Sequence, residues 1–295
     1  MSSAAVSQHY IGKFRSGEVE IFYRLFGRAG RTPAVIVHGL SYFSYDWIHL
    51  AAELATDRQI VAMDMRGFGD SGWSQDYSVP AFAGDVVALL DHLGWEKAIL
   101  IGHSMGGRNC TWCAAEYPDR VAALMLLDWS PENAAAGLKR VTEKIGSTPD
   151  SFGTVDEAMR YFKIDPQSPQ GERKRARYEA YLRPVPGGFA IKRDPHFRDQ
   201  FRRALETGER PKLGVDMWAA LAKVACPILE LRGSRSDMFA AETVERVKKT
   251  NLRLKLVEVN SGHDVAGDDP AGFLREARAF AREADATGGC AARSL

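Results

Sequence analysis

Four short, unbroken apolar runs constrain this chain more than any other feature: Ala34-Val35-Ile36-Val37, Ile60-Val61-Ala62-Met63, Ala98-Ile99-Leu100-Ile101 and Ala122 to Leu127. Continuous apolar runs of this length, without polar alternation, are the pattern of strands covered on both faces. Helix-length segments lie between them, over Tyr45 to Ala55, Val79 to Leu93 and Met105 to Tyr117, the last stopped by Pro118. Such alternation predicts an α/β fold with a mostly parallel, doubly wound sheet and right-handed crossovers. Upstream, Glu18 to Phe26 places Val19, Ile21, Tyr23 and Leu25 on one face, which reads as a half-exposed antiparallel strand near a sheet edge.

The rhythm breaks after Asp128 and resumes with Ile228 to Leu231, a helix from Ala240 to Lys249, a strand over Leu254 to Val259 and a helix from Pro270 to Ala284. The chain therefore divides into a first core part (1–130), an insertion (131–212) and a second core part (213–295). Helix-like patches at Asp156 to Phe162 and Gly171 to Leu182, with a short ribbon around Gly187 to Lys192, make the insertion a mainly helical cap. Its natural place is over the carboxyl ends of the strands, where open α/β sheets bind ligands. The insertion carries 17 Lys/Arg against 12 Asp/Glu, an excess suited to drawing in an anionic substrate. A solvated helical face is the plainer account of the run Glu172 to Arg177.

The whole chain has a formal charge of only +1, so no global field draws it to nucleic acid or an anionic membrane. No run approaches the roughly 18 apolar residues of a spanning helix, and the first residues lack a signal-like pattern. The expected setting is cytoplasmic and the expected partner a small molecule, with a homodimer left open. Cys110, Cys113, Cys226 and Cys290 are too scattered for a disulfide framework, and Cys110-x-x-Cys113 falls inside a predicted helix as packing residues. No zinc-like spacing of His and Cys occurs, so neither metal nor cofactor is expected.

Chemistry concentrates where the third apolar run ends, at Gly102-His103-Ser104-Met105-Gly106. A serine on a sharp strand-to-helix turn needs small residues two positions before and after it, and Gly102 and Gly106 meet that need. The turn makes Ser104 the candidate nucleophile and aims the N–H of Met105 at a developing oxyanion. A serine hydroxyl needs a base and an orienting acid. His263 follows the last predicted strand and Asp237 the one before, giving the chain order Ser, Asp, His. Asp237 is the preferred acid, although Asp128, ending the fourth apolar run, competes for the role. His38-Gly39-Leu40 follows the first run directly, and the N–H of Leu40 is the expected second oxyanion donor. His38, Phe43, Trp47, Trp129, Tyr178 and Tyr181 are candidates to line the substrate pocket, each with core packing as the plainer alternative.

Together these residues resemble the α/β-hydrolase superfamily, as does the glycine-rich stretch Asp64 to Ser71. The resemblance implies about eight strands with a cap after the sixth, a nucleophile elbow and a serine hydrolase without cofactor. Ser104 in place of an aspartate argues against the epoxide hydrolases and haloalkane dehalogenases of that superfamily. A carboxylesterase or lactonase is the leading expectation. Relatives that cleave C–C or C–N bonds in ring-cleavage products are the second, although those that cleave C–C bonds place an aromatic after the histidine where Asp264 stands here. A non-hydrolytic ligand receptor or cofactor-free dioxygenase is the third.

Overall fold

The computed structural model describes residues 9–209 and 212–288; Cys290 lies outside them. Its eight-stranded sheet runs β1 (Tyr10–Ser16), β2 (Val19–Phe26), β4 (Ile60–Met63), β3 (Ala34–Val37), β5 (Ala98–His103), β6 (Val121–Leu127), β9 (Ile228–Gly233) and β10 (Leu254–Val259) from edge to edge. From β4 to β10 all neighbours are parallel, while β2 pairs antiparallel with both β1 and β4.

Side chains alternate between the faces of the central strands and separate two cores. Val35, Val37, Leu100, Leu124 and Leu126 pack toward α2 (Val79–Leu93), α3 (Met105–Glu116) and α8 (Met217–Lys223). Ile36, Ile99, Ile101, Ala123 and Met125 pack on the opposite side with α1 (Ile48–Leu54) and α11 (Pro270–Gly288). Cys110 and Cys113 are free and buried on the α3 side, as packing residues. The turn after β4 is structural: the buried Asp64 carboxylate accepts hydrogen bonds from Ser44 N (2.5 Å) and Asp70 N (2.8 Å), and Gly67 and Gly69 take φ of 79° and 57°.

Between β6 and α8 the described residues contribute no strand to the main sheet. It forms α4 (Ala135–Gly146), α5 (Val155–Tyr161), α6 (Pro169–Tyr181), the hairpin β7 (Leu182–Val185) and β8 (Gly188–Ile191), and α7 (Pro195–Thr207), with α9 (Ala241–Thr250) and α10 (Val265–Asp268) following in the second core part. This cap is fastened to the core at separate points. Ala134 N bonds Met238 O (2.8 Å) and Gly137 N bonds Asp237 O (2.9 Å). On the far side Gly69 N bonds Lys192 O (2.8 Å), Asp194 N bonds Gly67 O (2.7 Å), and Lys192 pairs with Asp70 (2.6 Å). Arg177 of α6 forms a third attachment, to Asp46 (2.5 Å).

Candidate active site

Ser104 sits between β5 and α3 with φ 52° and ψ −115°, a conformation that side chains rarely adopt. The neighbouring glycines make it possible. A Cβ on Gly106 would stand 2.0 Å from Val37 O, and one on Gly102 would stand 2.6 Å from Gly106 O. Ser104 N continues the β5–β6 ladder by bonding Leu127 O at 3.1 Å, so the strained residue is held by the sheet itself.

His263 lies in the loop after β10, and its Nε2 is 2.9 Å from Ser104 Oγ. Its Nδ1 is 2.7 Å from an oxygen of Asp128, not of Asp237. The preference for Asp237 in sequence is therefore corrected. Asp237 lies four residues beyond the end of β9, where its carboxylate is engaged by Arg140 of α4 at 2.5 and 2.7 Å. That ion pair holds its carboxyl below the ordinary range. Asp128 follows β6 immediately, at φ 51° and 1% exposed. Its Oδ1 accepts from Gly233 N (2.9 Å), and its Oδ2 accepts from both His263 and the hydroxyl of Ser236. The loop after β9 thus supplies a hydroxyl that holds the Asp128 carboxylate, in place of the carboxylate expected from that loop. Strand-end position names both carboxylates in the sequence; what separates them is the cover of Asp128 by Gly233 and Ser236, which the sequence does not display.

Behind Asp128, the buried Glu230 of β9 accepts from Trp129 N at 3.1 Å through Oε1, while Oε2 has no partner among the described residues. Burial first, then the charge of Asp128, push its carboxyl well above the ordinary range. Glu230 escaped notice because it reads as one polar residue in an apolar strand.

Gly39 brings the loop after β3 against the nucleophile, since a Cβ there would stand 2.8 Å from His103 Nδ1 and 3.3 Å from Ser104 Cβ. Leu40 follows it, and Met105 opens α3. His38 is fully buried, with Nδ1 2.8 Å from Gly39 O and Nε2 accepting from Met65 N at 3.0 Å, which leaves no ring nitrogen for a substrate. His103 bonds His263 O through Nε2 at 2.9 Å. Burial depresses both rings to about 4, so both are neutral near pH 7 and act as struts.

The proposed pocket aromatics mostly belong to packing. Trp47 (4% exposed) lies in the α1–α11 layer beside Phe273, and Phe43 (1%) stacks on Tyr45 and Tyr181. Trp129 packs over Gly107, and Tyr178 joins Met159 and Ile164 inside the cap. Three of them surround one cationic group, the Arg177 guanidinium, which lies 4.8 Å from the ring centroid of Tyr181, 5.6 Å from that of Tyr178 and 5.9 Å from that of Phe43. Among the described residues no cluster of three metal-ligating side chains occurs, and no helix is long and apolar enough to cross a membrane.

Comparison with known proteins bears on the fold and the family. The profile of the alpha/beta hydrolase fold family matches residues 32–270. The chain is 30% identical over 256 residues to a 3-hydroxybutyrate-oligomer hydrolase of Cupriavidus necator, covering 81% of this chain and 85% of that protein. It is 25% identical over 262 residues to a 2-(acetamidomethylene)succinate hydrolase of Mesorhizobium japonicum, covering 88% and 90%. Among solved structures, an E-2-(acetamidomethylene)succinate hydrolase superposes with a TM-score of 0.79 at 24% identity, over 92% of this chain and 99% of that one. The sheet order, the cap position and these matches together place the chain in the α/β-hydrolase family, as a hydrolase.

Proposed function

We propose that the protein is a serine acyl hydrolase acting on a small-molecule carboxylic ester, with Ser104 as nucleophile, His263 as base and Asp128 as acid. The continuous hydrogen-bond chain from Ser104 Oγ through both nitrogens of His263 to Asp128, at 2.9 and 2.7 Å, carries this reading. His263 takes the Ser104 proton as Oγ attacks the ester carbonyl, and Asp128 stabilises the resulting imidazolium. The N–H groups of Met105 and Leu40 receive the oxyanion. His263 returns the proton to the departing alkoxide, and water, activated by the same ring, releases the acid and restores Ser104.

The likeness to a protein named for hydrolysing 3-hydroxybutyrate oligomers favours an ester of a hydroxy acid as the substrate class. A second reading, hydrolysis of a C–N bond through the same serine, draws on the likeness to the 2-(acetamidomethylene)succinate hydrolase. The test is hydrolysis of p-nitrophenyl butyrate beside p-nitrobutyranilide. We expect the ester to turn over and Ser104→Ala to lower kcat by about 10⁴-fold or more. Undiminished ester hydrolysis by Ser104→Ala would overturn the assignment, and anilide turnover exceeding ester turnover would favour the second reading.

A further inference from the structure

One buried acid takes no part in the hydrogen-bond chain from Ser104 to Asp128. Glu230 is 0% exposed and lies in β9 opposite Leu126 of β6 and Leu256 of β10. Its chain neighbours Leu229 and Leu231 face the α1 and α11 layer, so its carboxyl lies on the α3 side of the sheet, where Trp129 packs. Among the described residues no ion pair reaches it. Arg232, two residues along the strand, is already occupied by Glu258 at 2.6 Å and by Phe239 O at 3.0 Å. An ionised carboxylate so enclosed, with one oxygen lacking any donor, would cost far more than a neutral acid with one unmet hydroxyl. The upward push of burial and of the Asp128 charge on this carboxyl acts in the same direction.

What Glu230 holds is the turn of the triad acid. Asp128 takes φ 51°, a conformation that carries the chain away from the β6–β9 ladder. The peptide before it is still in the ladder, with Asp128 N bonding Leu231 O at 2.9 Å. The peptide after it has left the ladder, and its N–H, that of Trp129, bonds Glu230 Oε1 at 3.1 Å in place of a backbone carbonyl. Both peptide planes flanking Asp128 are thus pinned to β9, which fixes the rare backbone and with it the direction of the carboxylate. Trp129 also abuts the nucleophile helix, since a Cβ on Gly107 would stand 2.8 Å from Trp129 Cβ. An apolar residue at position 230 would fill the layer but leave a buried N–H unmet at the turn on which His263 depends.

We propose that Glu230 is a positioning residue for the acid: as an uncharged carboxyl it holds the Trp129 N–H, and so the turn that presents Asp128 to His263. This rests on the reading above of Asp128 as the acid of an ester hydrolase.

Kinetics and spectroscopy test it separately. With p-nitrophenyl butyrate, Glu230→Leu should lower kcat about 10²-fold, the scale of a misplaced catalytic group, and leave KM within about threefold. Glu230→Gln, which keeps an uncharged acceptor, should recover kcat to within about fivefold of the parent. The low-field proton resonance of the hydrogen bond between His263 and Asp128 should move or vanish in Glu230→Leu and persist in Glu230→Gln. A residue that merely packs would lower the urea midpoint of Glu230→Leu while leaving kcat and that resonance in place, and this result would overturn the proposal. Further measurements need only the parent and the Gln variant, and so decide the matter even where Glu230→Leu does not fold. The Trp129 amide should exchange with solvent as slowly as the Asp128 amide. The infrared difference between the parent and Glu230→Gln at about pH 7 should contain the C=O stretch of a protonated carboxylic acid. A rapidly exchanging Trp129 amide, a carboxylate band in that difference, or Glu230→Gln as damaged as Glu230→Leu overturns the role. In a protein inactive on every ester, a resonance moved by the Leu variant and kept by the Gln variant would retain the positioning role and overturn the ester reading.

Discussion

Asp128 and Asp237 follow neighbouring parallel strands, β6 and β9, and stand within one loop of each other, yet their surroundings differ in every respect that matters to a general-base partner. Asp128 is sealed from water and accepts from a backbone N–H, a serine hydroxyl and an imidazole. Asp237 is 37% exposed at its side chain and shares its charge with an arginine of the cap. A carboxylate already spent on a guanidinium has little left with which to stabilise an imidazolium. One fixed by neutral donors keeps its full charge directed at the ring. Strand-end position nominates both residues, and only burial and partnership separate them.

Amide substitution at the two positions is the sharpest way to break this contrast. Asp128→Asn should lower kcat by about 10⁴-fold by favouring the wrong imidazole tautomer, while Asp237→Asn should stay within about threefold of the parent. Equal losses in steady-state ester assays would erase the distinction. Next in size is Ser236→Ala, which removes the hydroxyl donor to Asp128 and should cost about 10-fold in kcat, with KM little changed. Arg140→Ala should matter less, because the ion pair is 45% and 37% exposed and solvent-screened; a loss under about 1 kcal/mol in urea unfolding is expected.

The smallest effect is on acid stability. The folded-state pKa of Asp237 is depressed, so its pairing with Arg140 contributes stability above the unfolded carboxylate value and loses it as pH falls through the folded one. The urea midpoint of the parent should exceed that of Asp237→Asn at about pH 6, and the gap should shrink as pH falls below the ordinary carboxylate value of about 4. A gap that widens on acidification would show that the pair does not hold the proton off Asp237.

What could be seen in the sequence follows the same division between covered and half-covered parts. The span Val79–Leu93 for α2 and Leu254–Val259 for β10 agree with their patterns residue for residue, the first through apolar periodicity with a Pro near its start, the second through Leu and Val set among Lys255 and Glu258 in a half-covered edge strand. β1 was not anticipated: Tyr10 and Ile11 are exposed, and its inward face offers Gly12, which lies over the Tyr23 ring, so no apolar alternation announces it. In the cap, α4 and α7 were missed because each buries only a narrow stripe against the other, with charge over the rest. The serine and histidine were legible because glycines mark their turns. The choice of acid was not, because burial of Asp128 depends on Gly233 and Ser236 folding over it from more than 100 residues away.

The fastenings of the cap limit how it can move against the core. One abutment is the Met238–Ala134 and Asp237–Gly137 backbone pairing, the other the Gly67–Asp194 and Gly69–Lys192 pairing across the molecule. An arch supported at both ends does not swing like a hinged door. Because the first abutment is formed by the loop whose Ser236 steadies Asp128, prying the arch up at that end would also disturb the acid. Cap attachment and the orientation of Asp128 are thus mechanically linked on the α4 side.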